Sequence, residues 1–576
     1  MIKKIIIFTF LFFAALFNVS AQDSVMIEEV TVSKEYNPTV KDAFKISTTP
    51  EVALPEPYTP VFEYSFFNVP IKTEYQIQFI GADKFIPEKV TYDGKPNYVK
   101  GGGGNYSTLM GELFYNAYES DNQKVNFLYR NRSSWGDVML QNNMKVDAPS
   151  ISNYALVDYQ HRFRNSILSS SFVFDRQSYK HYGYSTIDDN TTYSYANSDS
   201  VFLDEGKQLL NGIGFNLKYM SLPRVRSDFD YMLDFNYNTL FNEDNFSENQ
   251  FTLKNNLTWK LDKINLGFDI LANVGFYGKG NQEVARKYVG DTYFGANVAP
   301  FISFNKEIFD LKLGVKFDYY TEGGNHEFLP SPVVDFNVGI VPEYFNLFVK
   351  ASGGIMQNTY ADVMQINPYV ANNIDRQATR EILNSSVGII WDSNMALSMR
   401  VSLNYKILKN QMFFVNEFVT DDSNVANNAA YTNRFVAEYD DNQLLNPHLE
   451  VSYNNQTCWS VSAAFDYYHN SLKNLPEAWN LLDYKISLFG HYDITEKIRT
   501  RATFFFLPAR AVKVSTANAV DYTPFTYDLS LNGEYSFREY LSFFVDINNV
   551  LGSKYYTFNG YSTYRFNALA GAIFRF

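Results

Sequence analysis

The chain has 576 residues, among them 51 Phe and 44 Tyr but only one Cys and six His, and its 49 basic and 62 acidic side chains give a net charge of −13. Charged residues make up 19% of it, below the roughly 25% of an ordinary soluble domain. The single Cys excludes an internal disulfide framework and paired-thiol metal or redox sites, and the acidic balance argues against a nucleic-acid partner.

In chain order, Lys3 and Lys4 precede a nearly continuous apolar run over residues 5–19, followed by Val19-Ser20-Ala21. This is the pattern of a signal peptide spanning 1–21, cleaved after Ala21. Its removal takes away Lys3 and Lys4 and no acids, moving the net charge from −13 to −15. Beyond Ala21 no apolar run is long enough for a helical membrane span. Residues 22–72 read as an extended periplasmic segment, broken by Pro50, Pro55, Pro57 and Pro60.

From there the period is two. Met395, Leu397, Met399, Val401, Leu403, Tyr405 and Ile407 alternate with Ala396, Ser398, Arg400, Ser402, Asn404 and Lys406. The pattern recurs around residues 498–506 and 525–537. Such runs exceed the usual ~5–6 residues of a soluble strand and match an antiparallel transmembrane β-barrel, apolar toward lipid and polar toward a lumen. Connections alternate as well. Residues 342–345, 392–395, 454–457, 493–496 and 538–540 read as tight turns, and 359–378, 417–431, 468–480 and 508–523 as long loops, as expected for periplasmic turns and external loops. About 21 strand-like segments lie between Asn105 and Phe576. An even number then requires one more within 73–98, placed at 73–80, so the expectation is an all-β barrel of 22 strands over 73–576, with 20 as the alternative. Gly101 to Gly104 read as a tight bend or a close backbone approach near the barrel mouth.

The last strand places Tyr564, Phe566, Ala568, Ala570, Ala572, Phe574 and Phe576 on one face. Its terminal aromatics resemble the signal read by the outer-membrane barrel-assembly machinery; Tyr564, Phe566, Phe574 and Phe576 are the expected assembly signal. The run Asn548-Asn549-Val550-Leu551-Gly552-Ser553-Lys554-Tyr555-Tyr556 and the ending Ile573-Phe574-Arg575-Phe576 resemble the last two strands of TonB-dependent receptor barrels. The glycine run with Asn105 to Thr108 is similar to a narrower, plug-less set of relatives. The resemblance implies an outer-membrane location and lipid surroundings. The family's globular plug does not fit into the residues before the first confident strand, so no plug domain is expected. Ile27, Glu28, Glu29, Val30, Thr31 and Val32 look like the short segment TonB pairs with by strand addition, or like any extended leader.

No catalytic set, metal site or cofactor emerges. The six histidines have no ligand spacing, and Asp188, Asp189, Asp199, Asp204 and Glu205 read as solvated loop acids. Charges expected on the lumen face are Lys497, Arg499, Arg501, Asp528, Glu534, Arg565 and Arg575, which either pair across strands or form a ladder that orients a polar solute. Two functions stay open. One is a channel or transport component for polar solutes. The other is a structural or assembly subunit with a self-filled lumen, its leader docking TonB or another envelope protein.

Overall fold

The structure, a computed structural model, describes residues 95–576 apart from 141–142, 185–206, 223–227, 244–245, 279–291, 307, 342–343, 372–373, 394–395, 419–430, 456 and 516–517. The signal peptide, the leader over 22–72, the Ile27 to Val32 segment, residues 73–80, the question of a plug ahead of the barrel and the acids from Asp188 to Glu205 all lie outside the described residues.

The wall strands are β1 (Tyr98–Gly104), β2 (Thr108–Glu119), β3 (Gln123–Ser134), β4 (Ser150–Arg162), β5 (Ser166–Lys180), β6 (Lys207–Ser221), β7 (Phe229–Asn242) and β8 (Ser247–Lys260). Next come β9 (Asn265–Gly278), β10 (Thr292–Asn305), β11 (Phe309–Glu322), β12 (Asn325–Val341), β13 (Phe345–Met356), β14 (Thr379–Asp392), β15 (Leu397–Phe418) and β16 (Tyr431–Asn454). The ring is completed by β17 (Trp459–Tyr467, continued by His469–Leu472), β18 (Tyr484–Thr495), β19 (Ile498–Leu507), β20 (Thr526–Arg538), β21 (Leu541–Asn548) and β22 (Asn567–Arg575). Each pairs antiparallel with its neighbours, and β1 closes on β22. The barrel of 22 antiparallel strands matches the expectation from the sequence, as do the 21 strands after Asn105. The remaining strand, however, is Tyr98–Gly104 itself, so the glycine run is wall and not a bend.

Closure explains those glycines. Gly102 faces Gly571 across the seam, and a Cβ on Gly102 would stand 2.8 Å from the Ala570 carbonyl oxygen. One on Gly571 would collide with the backbone of Gly101 and Gly102. The aromatic ring of Phe544 lies against this bare backbone from inside the barrel, with Tyr98, Met110, Leu569 and Ile573 buried around it. A strand with few side chains still seals the wall, because closure is backbone hydrogen bonding.

The outer face is apolar and exposed, with Val157, Leu233, Leu253, Val401, Leu403, Leu449 and Val545 among its residues. Two aromatic rows bound it. Phe163, Trp259, Tyr344, Tyr453, Trp459, Tyr492, Tyr540 and Phe574 mark the periplasmic side, and Phe251, Phe276, Tyr319, Phe328, Tyr467 and Phe525 the external side. These are the girdles of a membrane barrel.

Connections at the periplasmic end are short throughout: 222–228 is the longest. At the external end the expected long loops are joined by three short ones, 105–107, 243–246 and 323–324. Gly323 (φ 57°) and Gly324 (φ 82°) supply the two positive φ angles of a two-residue hairpin. By contrast with these low edges, β15 and β16 run to 22 and 24 residues, well past a ~9–11-residue membrane span.

Candidate functional site

The external end carries the largest buried apolar cluster. Two segments build it: the β13–β14 connection, residues 357–378, and the β21–β22 connection, residues 549–566.

The first is a lid. Its one helix, α1 (Tyr360–Ile366), starts at a capping box in which the Thr359 hydroxyl accepts from the Asp362 amide and Asp362 accepts in return from Thr359. The Ala361 amide, freed at the helix start, donates to Glu248 Oε2 at 2.8 Å, and the Tyr293 hydroxyl donates to the other carboxylate oxygen at 3.1 Å. On the same side Arg376 donates to the Tyr277 hydroxyl at 2.5 Å and approaches Glu322 at 3.5 Å. The far side of the lid adds a parallel bridge of Val370 to Phe435 on β16. Two bonds frame it, Ala371 N to Phe435 O and Phe435 N to Tyr369 O. The Tyr179 hydroxyl at the end of β5 donates to Pro368 O at 2.8 Å. Strands β5 and β16 stand eleven positions apart in a ring of 22, which is half the circumference. A single loop held by both must therefore cross the mouth.

The second segment is a latch. Its short hairpin pairs Tyr556–Phe558 with Tyr561–Ser562, turning at Gly560 with φ 83°. The fully buried Tyr561 ring stacks on Tyr369 of the lid with centroids 3.6 Å apart, and its hydroxyl donates to Asn433 O at 2.6 Å. Arg510, buried in the β19–β20 connection, donates to Thr557 O and Tyr556 O at 2.8 and 2.6 Å. Burial pushes its guanidinium down to about 10, and burial pushes the Tyr369 phenol up to about 12.

Three residues singled out in the sequence take part in this cap, Asp528 from its place in β20 and Tyr564 and Arg565 from the connection ahead of β22. Asp528 holds the latch root, accepting from the Asn549 amide and the Tyr555 hydroxyl. Arg565 donates to Gly552 O in the same connection. Tyr564 precedes β22, stacks on Tyr106 and donates to Ala148 O at 2.7 Å. The alternation of residues 564–576 concealed that the strand begins only at Asn567, because a packed loop can keep the same period for three residues. The stretch resembling TonB-dependent receptors forms the elbow of the latch. Asn549 (φ 48°) and Gly552 (φ 62°) turn the chain, and Lys554 donates to Leu140 O.

Of the other expected lumen charges, Arg499, Arg501, Glu534 and Arg575 lie on wall strands and Lys497 does not. Glu534 pairs with Arg575 at 2.9 Å and Arg499 at 3.7 Å, and Arg575 also donates to Ser542. Arg501 sits in register between His491 and Asn532 and makes no ion pair among the described residues. Lys497 lies exposed in the 496–497 turn. Phe566 and Phe574 face outward, and Phe576 donates its amide to Asn97 O beside β1.

Sequence reasoning missed Glu248, Tyr277, Arg376, Tyr561 and Arg510. The one local signal was the Thr359/Asp362 capping pair, which marks a helix start but not what the helix covers.

No protein-family model matches the chain, and no curated protein sequence matches it. Solved structures do. The ferric-catecholate import receptor Fiu from E. coli K12 is 11% identical with a TM-score of 0.60, the alignment covering 84% of this chain and 83% of Fiu. The FrpB iron transporter from Neisseria meningitidis is 11% identical with a TM-score of 0.62, over 83% of this chain and 81% of FrpB. The copper transporter OprC is 11% identical with a TM-score of 0.59, over 83% of this chain and 80% of OprC. At this identity the likeness is one of fold: the chain is an outer-membrane β-barrel of the kind that import receptors use.

Proposed function

We propose that this protein is a transport component of the outer membrane for polar solutes, gated at its external mouth by the lid over 357–378. The observation that carries the reading is an amide- and charge-lined wall beneath a loop anchored on opposite sides of the barrel. Asn216, Asn236, Asn256, Asp234, Asp269 and Lys312 hydrogen bond along that wall, where a solute would exchange partners with them. The fold's iron and copper transporters make a metal chelate one candidate cargo. The chain is read as plug-less, with Ile27 to Val32 as the TonB-facing segment and Phe566, Phe574 and Phe576 as the outward aromatics offered to the assembly machinery. Planar-bilayer recordings test this. Replacing 358–377 with a short Gly-Ser linker should raise single-channel conductance, and a lidless chain that still fails to conduct sinks the reading.

The well-packed cap also favours a second reading, a structural subunit whose lumen stays shut and whose leader over 22–72 docks an envelope partner. It requires co-purification of that partner from mild detergent, lost on deleting 22–72.

A further inference from the structure

The wall beneath one side of the lid has the chemistry of a cation receptor. Four neighbouring strands converge there: Glu248 from β8, Tyr277 from β9, Tyr293 from β10, and Tyr320 with Glu322 from β11. Tyr293 is fully buried, and Glu248, Tyr277 and Tyr320 are buried nearly as deeply. What they enclose is the lid's own Arg376. Its guanidinium carbon lies 4.3 Å from the Tyr277 ring centroid, the geometry of a cation over an aromatic face. One nitrogen reaches the Tyr277 hydroxyl at 2.5 Å, and the other stands 3.5 Å from Glu322. The Tyr320 hydroxyl donates to the second Glu322 oxygen, which orients that carboxylate toward the guanidinium.

Only 7% of the Arg376 side chain is exposed, so the pocket is built around a planar cation. Withdrawing the lid would take the Arg376 countercharge from Glu322 and the Ala361 amide from Glu248, leaving two carboxylates on this wall without the partners that face them in the docked state. The open wall therefore offers a cation from outside the same carboxylate and aromatic face that hold Arg376. We propose that this pocket is a binding site for a guanidinium- or amidinium-bearing ligand arriving from outside the cell, and that Arg376 is the tethered occupant such a ligand replaces. Tethering gives Arg376 a high effective concentration, which keeps the mouth shut when no ligand is present. The consequence for transport rests on the gated-transport reading above, whereas the chemistry of the pocket does not.

The test uses the full chain in detergent and follows chymotryptic cleavage within 357–378, whose Tyr360 and Tyr369 become accessible when the lid lifts. Arg376→Ala should speed that cleavage by about tenfold or more, since local opening sets the rate, while heat-modifiable gel migration shows the barrel intact. In the wild type, millimolar methylguanidinium should speed that cleavage by taking the place of Arg376, and sodium chloride at equal ionic strength should not. In Glu322→Gln the methylguanidinium effect should vanish. A lid that stays protected in Arg376→Ala, or a wild-type lid that methylguanidinium does not loosen, overturns the proposal. Loosening by methylguanidinium without conductance from any lid-open chain would keep the pocket and remove the transport reading. Conductance from a lid-open chain without that loosening would do the reverse.

Discussion

The cap closes the barrel's mouth and the seam closes its wall, yet the two are held together by opposite means. The cap buries Tyr360, Val363, Ile374, Phe435 and Tyr561 almost completely and ties the lid and the latch together through packed side chains, as the core of a soluble domain would. The β22–β1 seam has glycine or alanine at half of its paired positions and is sealed by backbone hydrogen bonds with lipid on one side. Loss of a side chain should therefore harm the cap, and gain of one should harm the seam.

The largest expected effect is at the seam. Gly571→Leu would drive a side chain into the backbone of Gly101 and Gly102, so the heat-modifiable, folded band should disappear from outer-membrane fractions. Gly111→Leu, which meets no atom within 4 Å, should leave that band in place. If both substitutions fold, the seam is not the tight joint described here.

At the cap, Tyr561→Ala removes the ring stacked on Tyr369. The cost should be about 3–5 kcal/mol of lid docking, seen as faster cleavage within 357–378 in a barrel that remains folded. Loss of the barrel itself would show that cap and wall are one cooperative unit.

Alkali should act next. The Tyr369 phenol holds its proton up to about 12 when docked, against about 10 when free. Docking is thus at full strength below pH 10 and weakens as pH rises toward 12, by about 2–3 kcal/mol in total. Cleavage of the lid should accelerate over that interval in the wild type and less steeply in Tyr369→Phe.

Glu534→Gln marks the small end. It deprives Arg499 and Arg575 of their shared carboxylate on a partly wetted wall, worth about 1 kcal/mol. The urea midpoint should fall slightly with assembly unchanged, and a collapse of assembly would mean that this triad organises the periplasmic end of the wall.

Much of the wall was legible in the residues. The period-two runs at 395–407 and 525–537 fall on β15 and β20, and the turn at 539–540 lies where tight connections were expected. The glycine run was half legible. Its close backbone approach was foreseen, but its place in the ladder was not, because four residues without side chains carry no alternation to read. Tyr564 and Arg565 were assigned to the last strand for the converse reason: they kept the right parity while sitting in a loop. Nothing near Arg376 or Glu248 in sequence announces their meeting.

Alternation with a terminal aromatic strand specifies a closed, lipid-facing cylinder, since each strand's two faces are set by neighbours one and two residues away and every strand repeats the rule. The mouth obeys no such local rule. Which loop crosses it, which ring stacks on Tyr369 and which carboxylate meets Arg376 depend on bringing residues 248, 322, 376, 435 and 561 together, and only closure of the whole ring fixes those distances.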